Sequence, residues 1–459
     1  MLSVLILAFL GGTITSHFQV FPYPNIRDAT KTLQSLVSTF KASSRSNAQR
    51  RIEPTHILAS EAPTSRLTTF DVSFPRLPMI ASGGLNQYLE HCPQDGCLAV
   101  ALSEDGAVSE TWPYRPIEIY NADITDGRYP HETSLNFDPI THVYPTSVQR
   151  YANGDILVNF QSSGGVFPFG MGVTRVAGDG KPRWTRFDYS HHWSTLTANG
   201  IAYTPSLKIG QENVRFSFGA EPSPETYDLA CETGRPQLDT IQRIDGNGAL
   251  LEEIDLIPIL IDSNFAGILP ETSNPCDPLH LNYIDQIRSD AEAGLAKGDL
   301  VLSFRNLSRF AIFDPKKKVI KRLVTGGFVQ QHSVHHLSGS KFLLFDNRGG
   351  DAFGPGSRIV EVDIASGTER RIFPNTTTPQ PFAEVFSDRA GHLDISPDRT
   401  RVLASFTHAG RSFEIDIESG QLLAMYDSLH DVSTANDVSD DEKGLAWRFS
   451  IYSMTYVSQ

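Results

Sequence analysis

The sequence predicts an all-β protein, a six-bladed β-propeller with a short apolar and helical N-terminal segment. Three observations carry this: a turn-centred phrase that recurs six times, further β-rich runs between the copies, and sparse helix signals. The phrase is a β-rich run, a turn bearing Asp and usually Gly, and a second β-rich run. Its copies centre on Asp105-Gly106, Asp179-Gly180, Asp245 to Gly248, Asp314 to Lys318, Asp363 to Gly367 and Asp416 to Gly420. Such turns signal hairpins because Asp bonds its own turn and Gly accepts a positive φ. The copies lie roughly 50 to 75 residues apart, at or above the period of a four-stranded propeller blade. A pair of β-sandwiches also has short, turn-punctuated strands, but it does not call for this periodicity.

Taken in order, residues 1–20 read as a signal peptide or membrane anchor. The apolar run Met1 to Ile14 resembles the core of an export signal, although no positive residue precedes it. It is short for a membrane span of about 20 apolar residues. Export, to a periplasmic, secreted or membrane-anchored location, is the expectation. Residues 21–52 form an amphipathic segment, with a helix over Asp28 to Phe40 and a polar linker over 43–51. Residues 53–459 form the propeller, with 53–91 supplying strands that lead into the first blade. The runs Asn153 to Val158, Gly298 to Leu302, Lys341 to Phe345 and Arg401 to Ala404 read as inner strands, each preceding an outer hairpin. A second helix is expected over Ile284 to Ala296. The run Ser450 to Val457 is expected to close the ring by joining N-terminal strands in one blade.

Composition narrows the function. A net charge of -14 argues against a nucleic-acid partner, since neutralising phosphates takes clustered Lys and Arg that this chain lacks. Of the four cysteines, Cys92 and Cys97 bracket a turn and suit a small disulfide loop, and Cys231 and Cys276 are available for a second bridge. Spacing alone does not fix either pairing.

Candidate chemistry gathers at strand ends. His280 and Asn282, in Pro278-Leu279-His280-Leu281-Asn282, alternate along a strand, so both side chains face one side. Arg305 ends the next strand, His332 begins the following blade, and His191-His192 precede another β run. In a propeller such positions converge on the central channel. A neutral imidazole is a competent nucleophile, and cationic or hydrogen-bonding neighbours can hold the oxygens of a transferred tetrahedral group.

These residues resemble those of the PAPS-independent arylsulfotransferases. The resemblance covers roughly residues 95–457 and rests on Asp277 to Asn282, on Gly298 to Asn306, and on Gln331-His332 followed by Phe342 to Arg348. It implies a six-bladed propeller that passes a sulfuryl group from an aryl sulfate to a phenol through a sulfohistidine, with neither a nucleotide donor nor a metal or other cofactor. His332 would then be the nucleophile. His280, Asn282 and Arg305, with His192 or His191, would hold the sulfuryl oxygens, and Arg348 would line the channel. The N-terminus would allow membrane association. Two other readings fit a propeller: a metal-dependent hydrolase, and a non-catalytic module binding an anionic or aromatic ligand.

Overall fold

All six Asp-bearing turns join the third and fourth strands of antiparallel sheets. In each, the Asp carboxylate accepts a backbone N–H two or three residues on: Ala107 at 3.1 Å, Lys181 at 3.0 Å, Asn247 at 2.8 Å, Lys316 at 3.0 Å, Ala365 at 2.9 Å and Ser419 at 2.7 Å. The recurring phrase is therefore one side-chain-capped turn built six times. Gly106 and Gly180 adopt φ of 83° and 81°, which a side chain would oppose.

The computed structural model describes residues 55–58, 66–84, 91–92, 95–133, 143–162, 166–218, 225–288, 292–347, 356–380, 382–430 and 445–457. They belong to one compact unit, Arg50–Gln459. The expected signal or anchor at 1–20, the segment 21–52 with its helix, and Arg348 lie outside the described residues.

Six sheets form the blades of a β-propeller. Blade 1 runs from Ile451–Tyr456 at the axis through Met79–Gly83 and Cys97–Leu102 to Val108–Pro113. Blade 2 holds Val143–Arg150, Ile156–Ser162, Gly170–Val176 and Pro182–Arg186; blade 3 holds Thr195–Leu196, Ala202–Ile209, Gln237–Ile244 and Leu250–Asp255. Blade 4 holds Leu281–Gln286, Leu300–Phe304, Arg309–Asp314 and Val319–Val324, and blade 5 His332–Ser338, Lys341–Asp346, Arg358–Asp363 and Thr368–Phe373. Blade 6 holds His392–Ile395, Arg401–Phe406, Arg411–Asp416 and Leu422–Asp427, with Leu67–Thr69 added as a fifth, outermost strand. The expected closure holds: the C-terminal strand pairs with Met79–Gly83.

Two expectations change. The runs expected as inner strands are the second strands of their blades, and another strand stands nearer the axis in each case. The expected helix over Ile284 to Ala296 is absent where described: Ile284 to Gln286 end the inner strand of blade 4. Its residues suit a helix locally, but Ile284 is buried in the apolar cluster between blades 3 and 4, and that burial outweighs helix propensity.

Each interface between adjacent blades has its own apolar cluster, six in all. Both faces of a blade are thus covered, which is why Phe342-Leu343-Leu344-Phe345 is continuously apolar rather than alternating. Both expected disulfides are present, Cys92–Cys97 and Cys231–Cys276.

Candidate functional site

Within a blade the inner strand and the second strand are antiparallel, so the start of one and the end of the other reach the same face of the ring. The predicted residues occupy these positions. His332 opens the inner strand of blade 5, His280 immediately precedes that of blade 4, and His191-His192 lie just before that of blade 3. Arg305 follows the second strand of blade 4.

The geometry brings the imidazoles together. Ring centroids of His192 lie 5.0 Å from His191, 4.9 Å from His280 and 6.2 Å from His332. Phe169 stacks on His280 at 5.1 Å and contacts both His191 and His192 by its edge. His192 and His280 hold left-handed φ of 49° and 52°. Such backbone is costly outside glycine and concentrates at functional sites.

His332 is 4% exposed, and its tautomer follows from its neighbour. The Asn347 amide Nδ2 donates to the carbonyls of Ser387 at 2.6 Å and Ala390 at 3.0 Å. Its Oδ1 therefore faces His332 Nδ1 at 2.7 Å and accepts that N–H. Nε2 is left with its lone pair, buried and without a hydrogen-bond partner.

His280 Nδ1 is held by the Asp277 carboxylate. His191 is buried behind the cluster, with Nδ1 against His192 Nδ1 at 2.7 Å and Nε2 3.7 Å from Asp239. Arg305 donates to Asn306 Oδ1 at 2.9 Å and Gln330 Oε1 at 3.3 Å. Asn282 donates to the Gln331 carbonyl at 2.8 Å, bracing the segment that presents His332, and its Oδ1 is buried without a partner.

Burial, helped by the Arg305 charge, pulls the His332 imidazole down to about 3; burial with His280 nearby does the same to His191. Burial also holds His192 and His392 well below the usual 6.5. These rings are neutral at physiological pH. An unfolded chain would bind their protons as pH falls through about 6.5 while the native protein would not. The stability they lend is present above that pH and is lost towards pH 3. The unfolding free energy from urea titration should fall between pH 7 and pH 5, by of order 1 to 2 kcal/mol per buried imidazole, with a matching drop in the midpoint. A midpoint constant over that interval would contradict this burial.

Sequence reasoning missed Asn347 as a histidine partner, and with it Asp277, Phe169 and Gln161, whose amide lies 3.0 Å from His192 Nδ1. A signal for Asn347 existed: it follows the second strand of blade 5 just as Arg305 and Asn306 follow that of blade 4. Among the described residues no group of three or more His, Cys, Asp or Glu is placed to hold a metal ion.

Fold and site together define a six-bladed propeller with a cluster of imidazoles and one arginine at one mouth of its channel. Residues 232–426, which carry His280, Arg305 and His332, match the family described as Arylsulfotransferase (ASST). This supports an arylsulfotransferase-type function on small molecules. No curated protein matches. Solved structures with likeness include a protein of unknown function from Bacteroides caccae, at 11% identity over 84% of this chain and 100% of that one, TM-score 0.43. Virginiamycin B lyase from Staphylococcus aureus matches at 12% identity, 64% and 72% coverage and TM-score 0.34. A putative 6-phosphogluconolactonase from Bacteroides fragilis matches at 12% identity, 84% and 99% coverage and TM-score 0.36. These likenesses carry no argument about the reaction.

Proposed function

We propose that this propeller transfers a sulfuryl group from an aryl sulfate ester to a phenolic acceptor through a sulfohistidine at His332, without a nucleotide donor. The observation that carries this reading is the lone pair on His332 Nε2, unpartnered and buried beside Arg305, with Nδ1–H fixed by Asn347. In the first half-reaction Nε2 attacks sulfur, the S–O bond to the aryl group breaks, and the phenolate leaves with the electron pair. In the second, the oxygen of a phenol attacks sulfur with its proton passing to water, and the S–N bond returns its pair to His332 Nε2, while the phenolate released in the first takes a proton from water. Arg305 and an N–H of His192 would hold the sulfuryl oxygens while charge redistributes, beside His280, whose Nδ1–H is committed to Asp277, the kind of preorganised stabilisation that dominates group transfer. His191 supports His192 from behind.

Intact-mass spectrometry after brief incubation with p-nitrophenyl sulfate at mildly alkaline pH tests the proposal. A gain of one sulfuryl group with release of p-nitrophenol is expected. Neither adduct nor phenol release with several aryl sulfates would replace it with a ligand-binding role. An extracytoplasmic location belongs to the same proposal and is supported by the two disulfides, which persist in oxidising compartments.

Asn347→Leu should lower kcat by about 10²-fold, the scale of losing positioned acid–base or nucleophile control, and leave KM nearly unchanged. The single-turnover rate of adduct formation should fall in parallel; a change confined to KM would assign Asn347 to substrate binding instead.

A further inference from the structure

Past the imidazole cluster the channel is filled by side chains. Trp193 stacks on Tyr283 with ring centroids 5.6 Å apart and planes 6° from parallel, and His392 lies 4.1 Å from Trp193. His335 completes the layer, 5.0 Å from the Tyr283 ring and 6.4 Å from His392. Tyr283 Oη and His335 Nε2 are hydrogen-bonded at 2.7 Å, and His335 also meets the Leu393 carbonyl at 2.7 Å. All four residues are at most 8% exposed. On the far side of this layer, where the inner strands end, opens a cavity of about 1480 Å³ lined by residues from all six blades. None of His192, His280, Arg305 or His332 lines it.

The cavity's charge differs from that of the molecule. Its lining carries Arg150, Arg175, Arg288, Lys297 and Arg399 against Asp285 and Asp394, in a chain of net charge -14. The two carboxylates are already engaged: Asp285 lies 3.5 Å from His335 Nδ1, and Asp394 accepts the Tyr456 N–H at 2.7 Å. Arg150 is paired with Glu110 and Arg175 with Asp155, each at 2.8 Å. The Arg288 charge acts at longer range on Asp285 and Asp394, but neither Arg288 nor Lys297 makes a hydrogen bond or close ion pair among the described residues, and both are exposed at the rim. One wall adds an acceptor. His336, 5% exposed, donates Nε2–H to the Gly339 carbonyl at 3.1 Å, which leaves the Nδ1 lone pair buried without a partner.

We propose that this cavity is a second binding chamber, separate from the imidazole site, for a small oxyanion-bearing molecule with its anionic head on Arg288 and Lys297. A cation-lined concavity in an acidic protein concentrates anions locally, and the effect weakens as salt rises. A hydroxyl on the same molecule would meet His336 Nδ1, so a hydroxylated carboxylate or sulfate is favoured over a bare ion. The inference is independent of sulfuryl transfer, because the aromatic layer separates the two ends.

Isothermal titration of the full chain at low ionic strength, with sodium sulfate and in parallel with citrate, tests it. Binding of either anion should weaken about tenfold or more in Arg288→Gln/Lys297→Gln, the loss expected for charge-assisted hydrogen bonds, and persist in Arg305→Gln. Citrate binding tighter than sulfate would identify an organic hydroxy acid as the ligand class; the reverse would identify a sulfate-bearing one. No binding of either anion, binding untouched by the double substitution, or binding lost only in Arg305→Gln would overturn the proposal.

Discussion

His332→Ala is expected to abolish the covalent adduct and to lower aryl sulfate turnover by about 10⁴-fold or more, the scale of removing a nucleophile from a covalent mechanism. The effect should be this large because the neighbouring imidazoles are engaged with one another or with carboxylates. His191 is buried behind the cluster with Nδ1 committed to His192, and His280 Nδ1 is committed to Asp277. His332 combines an Nδ1–H fixed by Asn347 with a buried Nε2 lone pair that meets no partner. The depressed pKa supplies a second signature. With the free imidazole held at about 3, adduct formation should not decline from pH 8 to pH 5 through protonation of the nucleophile. A nucleophile titrating near the ordinary histidine value of about 6.5 would lose most of its reactivity over that interval. Wild-type single-turnover rates across this range, with His332→Ala as the blank, measure both. Adduct formation that survives in His332→Ala would move the nucleophile elsewhere and end the proposed role of this residue.

The fold was legible in the sequence because its turns are chemically loud. Each outer hairpin needs a carboxylate that can reach a backbone N–H two or three residues on, and Asp repeats at those positions from Asp105 to Asp416. The inner strands were quieter. His332–Ser338 carries three histidines and two serines on a strand facing a polar channel, and Thr195–Leu196 is two residues long. Neither shows the apolar run that marks the second strands, so the sequence pattern points to the second strands as the inner ones. The helix expected after Tyr283 failed for a related reason: local propensity carries no record of two neighbouring blades burying Ile284. The site was legible residue by residue, since His280, Arg305 and His332 fall on strand ends of one face. Its pairing was not. Asn347 bonds His332 from the end of the second strand of the same blade, and Asp239 approaches His191 from another strand of its own blade, 48 positions further along the chain. Distances across a closed ring are set by register and closure, which a linear pattern does not encode.

Removal of residues 451–459 should abolish cooperative folding, with soluble monomer lost on size exclusion and no sharp thermal transition. The strand Ile451–Tyr456 stands nearest the axis in blade 1, and it joins the end of the chain to Met79–Gly83. Ile451 and Met454 are fully buried and Tyr456 is 8% exposed. Burying side chains of this size is worth about 1.5 to 3 kcal/mol each. Three such losses approach the whole net stability of a typical domain, about 5 to 15 kcal/mol. The strand also ties neighbours together: the Tyr456 N–H donates to Asp394 and its hydroxyl to Glu414 at 3.0 Å, both in blade 6. Without it, Asp394 loses a partner in a buried setting, and Met79–Gly83 becomes an open edge that invites intermolecular pairing. The gentler Met454→Ala should unfold cooperatively at a lower temperature, with a loss of about 2 to 5 kcal/mol. The pair of variants separates closure from packing. A truncated chain that stays monomeric and melts within a few degrees of the full protein would show that the ring holds without this closure, whereas failure of the truncation alone, with Met454→Ala still cooperative, locates the requirement in the strand itself.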